Sequence, residues 1–340
     1  MRAALLRRLA VAAVTVLLVV TATFAAVHLM PGDPVRLYLG PTASPAVVAA
    51  TRHALGLDRP LPVQYLEWLE RFVRGRWGES IAQQRPVARV LGDALGPTLV
   101  LVGGSLLLTY LGGILVGAYQ AARRRSRADA ALTGVTAVVY ALPSYVVALG
   151  LVAVFAYGAA LWHWPRALRL PAFGEAGLGA DLLPPAARLA DRLRHLVLPL
   201  TTLALVGIAG TARFVRGAMV EALRQPFVRA ARARGLSGSR VLFGHALRNA
   251  LVPVVTLLGL QLPALFSGVV FVEVIFAWPG MGRVAVQAVL ARDYPVVMAV
   301  TAVFACLVVA GNLLADLLAA LADPRRAAAA AAPADRDGGG

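Results

Sequence analysis

Six long apolar stretches divide this chain, near residues 9–30, 98–119, 131–157, 196–215, 251–274 and 296–320. Each reaches the length of about 20 helical residues that crosses a bilayer core. Backbone donors and acceptors in lipid must be satisfied within the segment, so all six are expected to be helices. The first connection, residues 31–97, is long and patterned. It opens on Met30-Pro31-Gly32-Asp33-Pro34, where Pro31 stops a helix and Pro34 forces an extended exit. Further on, Leu66, Leu69, Phe72 and Val73 recur at helical spacing, with Glu67, Glu70, Arg71 and Arg74 on other faces. That pattern predicts a surface amphipathic helix over 63–74. Pro143 falls inside the third stretch and predicts a kink or an unwound turn, and Pro199 and Pro263 are further expected kinks.

Composition agrees with the pattern. Hydrophobic residues make up 59% of the 340 and charged residues 15%, an apolar excess that a soluble domain of this size does not need. The fold class expected is an all-α polytopic membrane protein with six transmembrane helices. Every basic side chain apart from histidine is an arginine, 33 in all. With the N-terminus inside, segments 1–8, 120–130, 216–250 and 321–340 hold 17 of them in about 74 residues, whereas 31–97, 158–195 and 275–295 hold 15 in about 126. The density favours cytoplasmic N- and C-termini, and the cluster Arg123-Arg124-Arg125-Ser126-Arg127 is its clearest element. The net charge of +16 thus reads as topology and contact with anionic lipid, and calls for no nucleic acid. The apolar stretch behind Arg2, Arg7 and Arg8 exceeds a signal-peptide core and does not end on an A-x-A site, so it is expected to stay as a span. Cys306 is the single cysteine, so no intramolecular disulfide forms.

The missing chemistry narrows function further. Without lysine the chain cannot build a phosphate-binding loop, whose glycine-rich turn needs a lysine on the nucleotide phosphates. It has no H-E-x-x-H, and its histidines (His28, His53, His163, His195, His245) include no i, i+4 pair. No catalytic residue, resident metal or cofactor is therefore expected, and any ATP hydrolysis belongs to a separate polypeptide.

Gln225 to Pro253 is the most distinctive stretch, an arginine-rich segment (Arg229, Arg232, Arg234, Arg240, Arg248) between two apolar spans with a break at Gly235. Ala230, Ala231 and Ala233 are small enough to let another protein approach a helix backbone. Arg229-Ala230-Ala231 stands ahead of Gly235 at the spacing of the Glu-Ala-Ala, three residues, Gly core of the cytoplasmic coupling loop in binding-protein-dependent ABC importer permeases. Arginine in place of the glutamate, and ARARGL running into HALRNALVP, resemble the dipeptide/oligopeptide/nickel branch. So do the PGDP exit, the LGLD-x-P-x-x-x-QY stretch, Ala141-Leu142-Pro143-Ser144-Tyr145, Arg194-His195-Leu196-Val197-Leu198-Pro199, the turn Val272 to Gly282, and Asn312, Asp316 and Asp323-Pro324-Arg325. Gly75-Arg76-Trp77-Gly78-Glu79-Ser80 departs from the usual Gly-Asp-Leu-Gly-x-Ser, and Ala319 replaces a usual tyrosine.

The resemblance implies a type I importer permease organised as a cytoplasmic N-terminus and first span (1–30), an extracytoplasmic segment (31–97), a permease core (98–325) with coupling loop 216–250, and a disordered tail (326–340). It implies a homologous second permease, two cytoplasmic ATPases carrying ATP and Mg, an extracytoplasmic solute-binding protein, and a bacterial cytoplasmic membrane. Loop 225–248 would move as a rigid body when the ATPases close. Its expected contact residues are Phe227, Arg229, Ala230, Ala231, Arg234, Gly235 and Leu236. Pro143, Glu273, Asn312 and Asp316 are translocation or helix-packing candidates. Asp316 near the end of the last span is expected to snorkel or bond a neighbouring helix, and Glu273 to make an interfacial contact. The expected cargo is a peptide, with a nickel chelate as the related alternative. An ion-coupled secondary transporter would need more buried ionisable residues than Asp316 and an internal repeat. An intramembrane serine protease would need a mid-span histidine beside Ser105, Ser144 or Ser267.

Overall fold

A computed structural model describes the backbone of residues 2–29, 35, 39–40, 42–54, 56–165 and 168–322. The exit 30–34, the sequence Asp323-Pro324-Arg325 and the tail 326–340 lie outside these residues. In chain order the helices are α1 (Arg2–Leu29), α2 (Pro45–Ala54), α3 (Leu61–Val73), α4 (Val87–Ala122), α5 (Arg127–Ala141) and α6 (Ser144–Leu161). They continue with α7 (Pro185–Ala222), α8 (Pro226–Ala233), α9 (Arg248–Ile275), α10 (Met281–Leu290) and α11 (Tyr294–Ala322). Among the described residues no strand forms, apart from an isolated bridge between Glu79 and Pro86.

Among the described residues five helices are long and apolar enough to cross a membrane: Leu6–Leu29 of α1, then α4, α6, α7, and Tyr294–Leu318 of α11. The expected span 251–274 lies within the continuous backbone of α9, in which Leu265–Ile275 is a shorter apolar run. Pro199 sits inside α7 with helix on both sides. The third expected span is divided rather than merely bent. Leu142 (ψ 131°) is extended because a residue before proline is driven out of the helical region, and Pro143 (ψ 142°) is extended after it. Helix α6 restarts at Ser144 and widens into a π turn over Ala153–Gly158.

The described residues form two compact units, one drawn from 1–8, 99–278 and 310–340, the other from 9–98 and 279–309. In the first, α4 and α7 approach at backbone distance. A Cβ on Gly113 would fall 2.5 Å from Thr211 Cβ, and one on Gly117 would fall 2.6 Å from the Ala212 carbonyl oxygen. This is the small-residue packing by which helices associate in lipid, where burial supplies little drive. Leu107, Leu111 and Leu115 repeat every fourth residue on the far side of α4 and are exposed, as a lipid-facing stripe is.

In the second unit α3 packs Tyr65 and Trp68 against Phe24 and Val27 of α1 and against Tyr294 and Met298 of α11. The packed face of α3 is therefore aromatic; Leu66 and Val73, expected on the apolar stripe, are 63% and 77% exposed. Gly75 (φ 72°) ends α3 by letting Arg76 N–H reach back to the Arg71 carbonyl. Residues 79–86 then fold back on themselves. Buried Asp293 holds that turn, accepting hydrogen bonds from Ser80 Oγ (2.5 Å) and from Ala82 N–H (3.1 Å). Thr98 Oγ1 accepts the Met281 N–H at 2.8 Å and fixes the start of α10.

Candidate functional site

The arginine-rich stretch singled out from the sequence is a short helix and a turn seated on the ends of two spans. Gln225 precedes α8 in extended conformation, and Pro226 at the first helical position needs no N–H partner. The helix stops at Gly235, whose φ of 75° is the left-handed conformation that glycine adopts at least cost. Gly235 N–H bonds the Arg232 carbonyl (2.9 Å) and Leu236 N–H reaches the Ala231 carbonyl (3.4 Å), the paired bonds of a Schellman turn. Leu236, the next residue, packs back on the core. Two residues on, the chain re-enters helix, as a π turn over Arg240–Leu247 that runs into α9.

Val228 and Ala231 are the inward residues of α8. They join Ala118 and Ala121 of α4, Val215, Met219 and Ala222 of α7, and Val241, Ala246, Ala250 and Val254 in one apolar cluster. Burying Val228 alone contributes about 1.5–3 kcal/mol. Ala231 therefore belongs to the core, 6% exposed, and does not offer its side chain to a partner as its small size suggested. The exposed face carries Phe227, Arg229, Ala230, Arg232, Ala233 and Arg234.

A partly buried polar network joins α7 to α5. Arg216, in the last turns of α7, grips Asp129 at the start of α5 with two hydrogen bonds, Nε to Oδ1 at 2.7 Å and Nη2 to Oδ2 at 2.8 Å. Asp129 also accepts from Arg125 N–H at 3.0 Å, and its own N–H donates to Ser126 Oγ, which caps α5. Thr133 and Gln120 extend the chain of bonds. Asp129 lies in the arginine-rich connection ahead of the apolar third span. The hydrogen bond from Arg216 holds its carboxyl near pKa 2 rather than 3.8, against the opposing effect of burial. The sequence showed Arg216 as a span end and gave Asp129 no role, since 87 residues separate the partners. A serine three residues ahead of Asp129 was the one local signal.

The other candidates separate. Glu273, expected at an interface, is fully buried, at the turn where Trp278 N–H bonds its carbonyl and Ala277 takes a left-handed φ of 48°. Asp316 pairs with Arg8 of α1 at 3.1 Å, both half exposed, which agrees with a helix-to-helix bond. The Asn312 side-chain oxygen, one turn earlier, is buried and has no hydrogen-bond partner among the described residues. Pro143 is exposed in its break. None of these four lies in the α8 cluster. Among the described residues no three His, Cys, Asp or Glu side chains converge to hold a metal ion.

Residues 113–328 match the family described as binding-protein-dependent transport system inner membrane component, and residues 1–100 match its N-terminal membrane component. The chain belongs to this family of transport permeases. It is 37% identical over 326 residues to the oligopeptide transport system permease protein AppB of Bacillus subtilis, covering 96% of this chain and 99% of that one. The di/tripeptide transport system permease protein DppB of Pseudomonas aeruginosa is 37% identical, covering 94% and 97%. The glutathione transport system permease protein GsiC of Salmonella choleraesuis is 36% identical, covering 91% and 94%. The chain is thus a multi-pass bacterial membrane permease and one subunit of an ABC importer complex.

Proposed function

We propose that this permease carries small peptides inward across the cytoplasmic membrane, and that α8 with the Gly235 turn is where separate ATPase subunits drive it. The observation that carries this reading is the seating of α8 on the ends of α4 and α7 through one apolar cluster. A push on the exposed face, Phe227, Arg229, Ala230 and Arg234, reaches those helices without passing through a flexible joint. The peptide cargo follows the names of the oligopeptide, di/tripeptide and glutathione relatives. ATP and Mg stay with the ATPases, because the chain has no lysine for a nucleotide loop. A homologous second permease completes the pore, and a solute-binding protein delivers the peptide from outside. Both termini and loop 216–250 face the cytoplasm, as arginine density favours.

The test joins topology to function. In a Cys306→Ala background, cysteines at Ser237 and Arg124 are expected to be shielded from an impermeant thiol reagent in intact cells, and one at Gln64 to react. The purified chain alone is expected to hydrolyse no ATP, and labelled dipeptide uptake to require co-expressed ATPases, sister permease and binding protein. Labelling of Ser237 from outside, or ATP hydrolysis without partners, would overturn the reading.

A further inference from the structure

Helix α3 has three faces, and only two are explained by the fold. Tyr65, Trp68 and Phe72 lie on one, where the first two meet Phe24 and Val27 of α1. Glu67, Glu70 and Arg71 occupy the opposite side. Between them, at 100° per residue, Pro62, Leu66, Leu69 and Val73 share an apolar arc. Leu66 and Val73 on it are among the most exposed apolar side chains of the unit.

The position of α3 says what covers that arc. Phe24 and Val27 lie five and two residues from the end of α1 at Leu29, about 3–8 Å along a helix rising 1.5 Å per residue. The Tyr65 hydroxyl reaches Thr21 Oγ1 at 2.7 Å, a further turn inward. α1 is a membrane span whose Val11, Val14, Leu17 and Leu18 are exposed. The apolar arc of α3 thus stands level with the point where that span leaves the hydrocarbon. Tyr65, Trp68, Phe72 and Trp77 stack in sequence there, with ring centroids 5.3–6.5 Å apart. Such amphipathic rings are enriched at membrane boundaries.

We propose that α3 is an interfacial helix, sunk by its Leu66–Val73 arc among the acyl chains and headgroups of the leaflet where α1 ends. The lipid surface is its partner, and the arc anchors the connection between the first two spans to the bilayer. Helices with one charged and one apolar face bind in this plane in proportion to the apolar area buried. The inference requires only that α1 spans the membrane, and stands apart from cargo and ATPase coupling.

Nitroxide labels on single cysteines, in the full chain with Cys306→Ala in phosphatidylethanolamine/phosphatidylglycerol nanodiscs, test it. Labels at Leu66 and Val73 are expected to relax more with lipid-soluble oxygen than with a water-soluble nickel chelate. Labels at Glu70 and Arg71 are expected to show the reverse order. Chelate-dominated relaxation at Leu66 and Val73 would overturn the proposal, and so would shielding of both from either reagent, which would mean that protein covers the arc. Circular dichroism and size-exclusion profiles unchanged from the unlabelled chain confirm that the labelled variants are folded.

Discussion

Arg216 and Asp129 are joined by a two-point clamp that ties the last turns of α7 to the first turn of α5. A paired guanidinium and carboxylate in this fork geometry is stronger than either bond alone. Because the folded pKa of Asp129 is depressed to about 2 from 3.8, its contribution is complete above about pH 4 and is lost as pH falls through the folded value. Asp129→Asn is expected to lower stability by about 1.5–3 kcal/mol at neutral pH. Thermal unfolding in detergent should show a gap from the native chain that is constant from about pH 8 to pH 5 and narrows below about pH 4. A gap that persists unchanged to the lowest pH would contradict the ionised clamp.

The contact between α4 and α7 makes a second expectation specific. Gly117→Val places methyl groups against the Ala212 carbonyl and the Arg216 N–H, 2.6 and 3.0 Å from the new Cβ, so the helices must part. Overpacking of this kind costs about 1–3 kcal/mol or more. Gly134→Ala, on a helix with nothing within 4 Å of the added Cβ, is expected to be neutral or to stabilise by up to about 1 kcal/mol. Folded yield after detergent extraction compares the two, and equal yields would argue against close packing at Gly117.

Adjacent alanines on α8 should respond oppositely. Ala231→Glu puts a carboxylate into an apolar cluster and is expected to reduce the amount of folded protein, since burying an unpaired charge costs several kcal/mol. Ala230→Glu projects into water and should leave abundance unchanged while dipeptide uptake and ATPase co-purification fall. Gly235→Val forces a β-branched residue into the left-handed region at a cost of about 1–2 kcal/mol, and should lose uptake as well. Normal uptake in Ala230→Glu would remove the outer face of α8 from the coupling path.

At the other end of the chain Asp293 does two things at once, holding the 79–86 turn and standing at the head of α11, where Val296 N–H approaches its second oxygen at 3.5 Å. Asp293→Ala removes both and is expected to cost about 1–3 kcal/mol. Ser80→Ala removes one bond and should cost less. Amide hydrogen exchange across residues 79–86 reads the loosening directly, with Asp293→Ala exchanging fastest. Equal exchange in all three chains would show that the turn holds itself.

Regularly patterned features were legible in sequence, and those made by distant partners were not. The spans announced themselves by length, Gly235 by its place after a short helix, and Pro143 by the conformation it imposes on Leu142. The clamp escaped because Asp129 and Arg216 belong to different arginine-rich connections and nothing local couples them. Ala231 was misjudged for a related reason: on an eight-residue helix with alanines at three positions, size does not tell inside from outside. On α3 the spacing showed the apolar stripe of a surface helix but not that Tyr65 and Trp68, larger and better able to fill a gap between helices, make its packed face. Glu273 looked like a boundary residue because it stands near the outer end of the fifth apolar stretch, but it is fully buried.

An eight-residue helix does not hold itself in water, where isolated helices shorter than about 12–15 residues are marginal. Cut away from the two long helices beneath it, the segment around α8 would be a random coil, and a synthetic peptide of that sequence would make a poor competitor for whatever binds there. Its shape is on loan from Val228 and Ala231 and from the surfaces they fill. A partner that grips α8, as proposed above, would therefore sense the arrangement of the membrane helices and not a freestanding epitope, and a graft of these residues onto another scaffold would carry the letters without the form.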